Sequence, residues 1–127
     1  MVGILLVTHN GLGNSLLDCV GHVLGSVPPN LKSLAVLASD EPHSKEEEGR
    51  ALIRELDQGQ GVLLLTDIFG ATPSNIATRL CRPGQVQGVA GVNLPMLLRV
   101  VVYHDKPLAE LAEIAIAGGR EYIVPIN

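Results

Sequence analysis

Three strand-like stretches of this sequence end on side chains able to do chemistry. Val2-Gly3-Ile4-Leu5-Leu6-Val7 leads into Thr8-His9-Asn10-Gly11, Gly61 to Thr66 leads to Asp67, and Val86 to Val92 leads to Asn93. In an open α/β sheet the crevice outside the carboxyl ends of the strands is where ligands bind, so polar residues delivered there are candidates for function. Right-handed connections bring the first and third strand ends together, which pairs His9 with Asp67. A carboxylate that fixes one ring N–H of a neutral imidazole leaves the other nitrogen as a nucleophile and stabilises the cation formed on attack.

Beside this pair the sequence places Gly70-Ala71-Thr72-Pro73. Thr-Pro is a helix-start pattern, with a hydroxyl at the N-cap and proline in the first turn. A helix N-terminus preceded by small residues lets backbone N–H groups approach an anion. The chemistry this combination points to is phosphorylation of His9, with Asp67 orienting the ring and Gly70, Ala71 and Thr72 holding the phosphoryl oxygens. Taken singly, each residue also has a plain structural role: His9 satisfied by solvent or backbone, Asp67 capping a turn, Thr72 capping a helix. His22, His43 and His104 lie off the apolar stripes or at helix flanks and are expected to carry no chemistry.

What is missing narrows the choice. No serine sits in a G-x-S-x-G elbow, which counts against a hydrolytic triad. No second histidine or cysteine stands at ligand spacing to His9 or Asp67, so no metal site is expected. The 70–72 loop lacks the lysine and spacing of a GxxxxGK[ST] loop, which argues against a nucleotide cofactor. No cofactor is expected.

The elements that must position these residues follow from periodicity. Leu16, Leu17, Val20, Val23 and Leu24 form one face of a helix with candidate cap Asn14, ending near Gly25. A second strand is expected over Leu31 to Ala38. Ser44 and Glu47 make a capping-box pattern for a helix whose acidic run Glu46-Glu47-Glu48 reads as a solvated first turn. Further helices are expected from Pro73 to about Cys81, over Met96 to about His104 as an all-round apolar and buried segment, and from Pro107 to a stop at Gly118-Gly119. Glu121 to Ile126 reads as a short last strand.

The order β-α-β-α-β-α-β-α-α-β predicts an α/β fold: a doubly wound, mostly parallel sheet of about four parallel strands with helices on both faces. The last strand follows a tight glycine turn, so it either runs antiparallel at an edge or is donated to a partner chain.

Composition agrees with one domain over residues 1–127. A chain of this length buries about two-thirds of its unfolded surface. Hydrophobic residues make up 46% and aromatics 2%, so the core must be aliphatic. The net charge is -4, with no basic patch to neutralise several phosphates, so nucleic acid is not an expected partner. No apolar run reaches the length of a membrane span and no signal peptide is recognisable, so a soluble cytoplasmic protein is expected, with no membrane insertion. Cys19 and Cys81 lack CxxC spacing and are expected as buried, reduced thiols.

Three blocks resemble the EIIA component of the mannose family of the bacterial phosphoenolpyruvate-dependent sugar phosphotransferase system (PTS). They are Gly3-Ile4-Leu5-Leu6-Val7-Thr8-His9, then Leu65-Thr66-Asp67-Ile68-Phe69-Gly70-Ala71-Thr72-Pro73-Ser74-Asn75, then Gly91-Val92-Asn93-Leu94-Pro95-Met96-Leu97. The resemblance implies that His9 accepts a phosphoryl group from the phosphohistidine of HPr and passes it to a histidine of an EIIB protein. It implies that Asp67 hydrogen-bonds the His9 ring and that Thr72 lies at the phosphate site. It further implies a sheet with one antiparallel C-terminal strand, exchanged between the protomers of a homodimer. Phe69 stands where members of the family often carry Trp, and Ala71 where they carry Gly; both positions fall on the expected docking rim.

The sequence ends at Asn127, so EIIB is expected either on a separate chain or not at all. That leaves room for a regulatory phosphorylation switch in place of sugar uptake. A non-covalent ligand-binding α/β module is a third reading. The related phosphotransfer subunit of dihydroxyacetone kinase is a rival, but its loop after the third strand carries a Met-Gly-Ser pattern absent here.

Overall fold

The computed structural model describes all 127 residues. In chain order the elements are β1 (Gly3–His9), α1 (Leu12–Leu24), β2 (Leu31–Val36), α2 (Pro42–Leu56), β3 (Val62–Thr66), α3 (Thr72–Leu80), β4 (Val86–Ala90), α4 (Leu94–Val102) and α5 (Leu108–Glu121). The four strands form one sheet in the order β2-β1-β3-β4. Every pair is parallel, with Ile4 opposite Leu31 and Leu63, and Leu64 opposite Gly88.

Alternation along the two central strands sorts their side chains onto two faces. Ile4, Leu6, Leu63 and Leu65 pack against α1, α4 and α5, whose Val20, Leu97, Val100, Leu111 and Ala115 complete one aliphatic layer. Leu5, Val7, Val62 and Leu64 point the other way, onto Leu56 of α2 and Ile76, Ala77 and Leu80 of α3. Burial on both faces is why β1 and β3 read as near-continuous apolar runs. Packing on both faces makes these strands the platform for their own carboxyl ends. Because β2 and β3 flank β1 on opposite sides, the chain reverses direction across the sheet between β1 and β3, and a crevice opens there.

Several expectations change. No strand forms over 121–126: α5 continues through Gly118 and Gly119 to Glu121, and residues 123–127 lie outside any helix or strand. The glycines do not stop the helix because they are where it meets α4. A Cβ on Gly118 would lie 3.0 Å from Arg99 Cβ, and one on Gly119 would lie 2.9 Å from Met96 Cε. Close helix approach thus offsets the roughly 1 kcal/mol that glycine costs in a helix.

Other boundaries shift by a few residues. α2 starts at Pro42 and is capped by Glu41, whose carboxylate accepts from His43 N–H at 3.0 Å and Ser44 N–H at 2.8 Å; these bonds hold its pKa below the usual carboxylate value. The Ser44–Glu47 box is therefore internal to the helix. Asn14 likewise falls inside α1, which begins at Leu12. β2 ends at Val36, and β4 ends before Gly91, which turns the chain at a φ of 94°.

Burial corrects four further expectations. Val23 and Leu24 are exposed, as is Val102 on the outer side of α4. Cys19 and Cys81 are free but exposed. Glu46, read as solvated, is only 7% exposed.

Candidate functional site

β1 carries His9 one residue beyond its last buried side chain, Thr8. The loop after it is held from both sides. Thr8 Oγ1 accepts from Gly13 N–H at 2.9 Å, and Asn10 N–H donates to the Val36 carbonyl at 3.0 Å. Asn10 is the one non-glycine residue at positive φ, 50°. Asparagine tolerates this left-handed conformation, so the chain turns sharply away and leaves the imidazole standing at the carboxyl end of the strand. The Asn-Gly pair at positions 10 and 11 was the available signal for that turn.

β3 lies beside β1 and delivers Asp67 to the same carboxyl end of the sheet. Asp67 Oδ2 receives the His9 backbone N–H at 3.0 Å and lies 2.8 Å from His9 Nδ1, while Oδ1 receives the Ile68 N–H at 3.1 Å. Burial would raise the carboxyl pKa, but the His9 backbone and ring bonds outweigh it and hold Asp67 below its ordinary value. An ionised carboxylate can only accept, so Nδ1 carries the proton and Nε2 the lone pair. No protein group hydrogen-bonds Nε2. The His9 side chain is 46% exposed and that of Asp67 11%, so the ring is offered outward on a covered support.

The loop between Asp67 and α3 is braced by a residue that sequence reasoning gave no role. Ser74 Oγ accepts from the Gly70 N–H at 2.8 Å and donates to the Ala71 carbonyl at 2.9 Å. A serine in the first turn of a helix, just after a glycine turn, was the clue. Gly70 itself makes the turn, at a φ of 89°.

Thr72 is the first residue of α3 and not its cap; Ala71 holds that place and has no side chain to cap with. The N–H groups of Ala71 and Thr72 consequently have no acceptor within the chain. Three small or hydroxylated residues thus stand in order beside a helix start whose dipole favours negative charge.

Asn93, expected as the third polar strand end, instead lies three residues past β4 at the start of α4. Its Oδ1 accepts from Met96 N–H at 2.9 Å and its Nδ2 donates to the Gly119 carbonyl at 3.0 Å, tying the start of α4 to α5. It is a structural residue. Around the crevice mouth Leu12, Leu37, Ile68 and Phe69 are exposed, Phe69 to 83%. No group of three or more His, Cys, Asp or Glu side chains is placed to hold a metal ion, and no helix is long and apolar enough to cross a membrane.

Comparison with known proteins places this geometry. The mannose-specific EIIAB component of the PTS of Escherichia coli K12 is 29% identical over 123 residues, which cover 94% of this chain and 38% of that protein. This chain therefore spans well under half the length of that relative. The fructose-specific EIIA component of Bacillus subtilis strain 168 is 28% identical over 102 residues, 80% of this chain and 69% of its own length.

Among solved structures, the mannose/sorbose specific IIA subunit from Enterococcus faecalis superposes with a TM-score of 0.87 at 23% identity, covering 99% of this chain and 95% of that one. An EIIA component from Streptococcus agalactiae gives 0.84 at 24% identity, covering 98% and 97%. These two show the shared fold. The family model described as PTS system fructose IIA component matches residues 3–115, a span that contains both central strands and the whole crevice, and the chain belongs to that EIIA family.

Proposed function

We propose that this protein is a cytoplasmic phosphoryl carrier of a sugar phosphotransferase system. His9 takes the phosphoryl group from the phosphohistidine of HPr and gives it to a histidine of EIIB. The observation that carries the reading is the 2.8 Å contact between His9 Nδ1 and Asp67.

In the forward step the Nε2 lone pair forms a bond to phosphorus as the P–N bond of the donor breaks, and the donor imidazole leaves with that electron pair. The His9 ring, now bearing phosphate on Nε2 and a proton on Nδ1, is cationic, and the Asp67 carboxylate 2.8 Å away stabilises it. The free N–H groups of Ala71 and Thr72, presented by the turn at Gly70, receive the phosphoryl oxygens. Attack by the EIIB histidine reverses the same bond changes and restores the neutral ring. The apolar rim of Leu12, Leu37, Ile68 and Phe69 supplies the ground on which the two partners dock in turn.

Incubation with phosphoenolpyruvate, enzyme I and HPr is expected to label the protein with an acid-labile, alkali-stable phosphate, and His9→Ala to abolish the label. Labelling at another residue, or none with a cognate HPr, would refute the carrier and favour a non-covalent binding module.

The active form we propose is a homodimer that exchanges its C-terminal segment. Only one side of β4 is paired, and Tyr122, Ile123, Val124 and Ile126 all project into solvent, Ile126 completely. An open sheet edge next to an unpartnered apolar segment is the arrangement that strand exchange satisfies.

A further inference from the structure

At the amino-terminal end of the strands, on the α2/α3 side, a groove of about 350 Å³ is lined by Arg50, Arg54, Arg79 and Arg82 together with Ile53 and Leu80. The strand length separates it from the His9 crevice by roughly 17 Å. The protein is acidic and has only 9 Lys and Arg residues, yet four of these cations converge here.

Helix dipoles account for one cation in each last turn, Arg54 in α2 and Arg79 in α3. They do not account for Arg50, which stands four residues before Arg54 on the same face, where like charges repel. Nor do they account for Arg82, which opens the turn into β4.

The cluster is built from beneath. The buried Glu46 carboxylate places Oε1 4.0 Å from Arg50 Nη2 and 3.9 Å from Arg79 Nε, and Arg50 Nη1 also meets Glu47 at 2.6 Å. Asp57, the one acidic residue in the lining, turns its Oδ1 to the Gly59 and Gly61 N–H groups at 2.8 and 3.1 Å. Arg54 and Arg82 have no carboxylate within ion-pair distance. Two guanidiniums are thus held in position and two remain free across the same groove.

We propose that this groove binds a small, multiply charged anion carrying phosphate or carboxylate groups. Arg54 and Arg82 provide the free planar donors, and Glu46 positions Arg50 and Arg79 alongside them. Guanidinium matches such oxyanions with paired N–H donors, and the volume suits a ligand of metabolite size. The proposal is independent of the phosphoryl-carrier reading.

The test is titration of the full chain with inorganic pyrophosphate and, separately, with a hexose bisphosphate at physiological salt, followed by calorimetry and by NMR of backbone and arginine side-chain N–H groups. Saturable binding that moves the signals of residues 50, 54, 79 and 82 is expected. Tighter binding of the hexose bisphosphate would identify a phosphorylated metabolite as the source, and tighter binding of pyrophosphate an inorganic one. Arg82→Gln alone, and Arg54→Gln with Arg82→Gln, should weaken binding by about tenfold or more without lowering the thermal midpoint. Lys106→Gln with Arg120→Gln, an equal charge change elsewhere, should leave it unaltered. Shifts confined to His9 and residues 70–74, no saturation, or equal weakening by both double variants would overturn the proposal. So would a polyglutamate peptide that binds the groove more tightly than either small anion.

Discussion

Replacing Asp67 by asparagine keeps the shape of the side chain and removes one acceptor. In the native site both oxygens are used: Oδ2 serves the His9 N–H at 3.0 Å and the ring Nδ1 at 2.8 Å, and Oδ1 serves the Ile68 N–H at 3.1 Å. An amide has a single acceptor oxygen. If that oxygen faces His9, the NH2 group opposes the Ile68 N–H. If it faces Ile68, the NH2 group opposes the His9 backbone N–H and donates to Nδ1, which moves the ring proton to Nε2 and removes the nucleophilic lone pair.

Hydrogen bonds to charged groups are worth about 1.5–3 kcal/mol, so loss of the ring bond in the transition state slows phosphoryl transfer by about 10- to 150-fold. Rapid-quench measurement of transfer from phospho-HPr reads this directly, and 15N NMR of the imidazole reports which nitrogen holds the proton. Transfer within twofold of wild type, with the Nδ1–H tautomer retained, would refute the assigned role of Asp67. The pH dependence gives a second check. A depressed folded-state pKa means that the stability lead of wild type over Asp67→Asn is complete above about pH 4 and shrinks as the pH falls through the folded-state value. A lead that grows on acidification would contradict the observed bonding.

Two other substitutions probe the frame and the assembly. Asn93→Ala removes a helix cap and the link to Gly119, and should cost about 1–2 kcal/mol in urea unfolding while leaving phosphorylation of His9 intact. Ile123→Asp with Ile126→Asp should halve the mass found by sedimentation equilibrium without altering the circular dichroism spectrum; a wild-type protein that is monomeric at all concentrations would refute segment exchange.

The two central strands, their burial on both faces, and the meeting of His9 with Asp67 were legible because each is encoded locally. A five- or six-residue aliphatic run ending on a polar residue has few other uses in an α/β chain, and the right-handed crossover then limits where the strand ends can lie. Asn93 shows the limit of the same pattern. It follows a strand-like run in the sequence as His9 and Asp67 do, yet it is spent on capping, because its neighbours are the start of α4 and the end of α5. Local pattern does not say which element will stand opposite.

Sequence alone determined the order of elements from β1 to α5, the parallel sheet and the pair at the carboxyl ends of its central strands, since periodicity and turn residues act over short range. Tertiary structure decided what depended on distant partners. Gly118 and Gly119 continue α5 because α4 packs against them, and this leaves residues 123–127 without a place in the sheet. Glu46 is buried because arginines from two helices close over it. The Asp67 carboxylate is ionised, and the His9 lone pair thereby directed outward, because the neighbouring strand brings a backbone N–H and a ring N–H to the same oxygen.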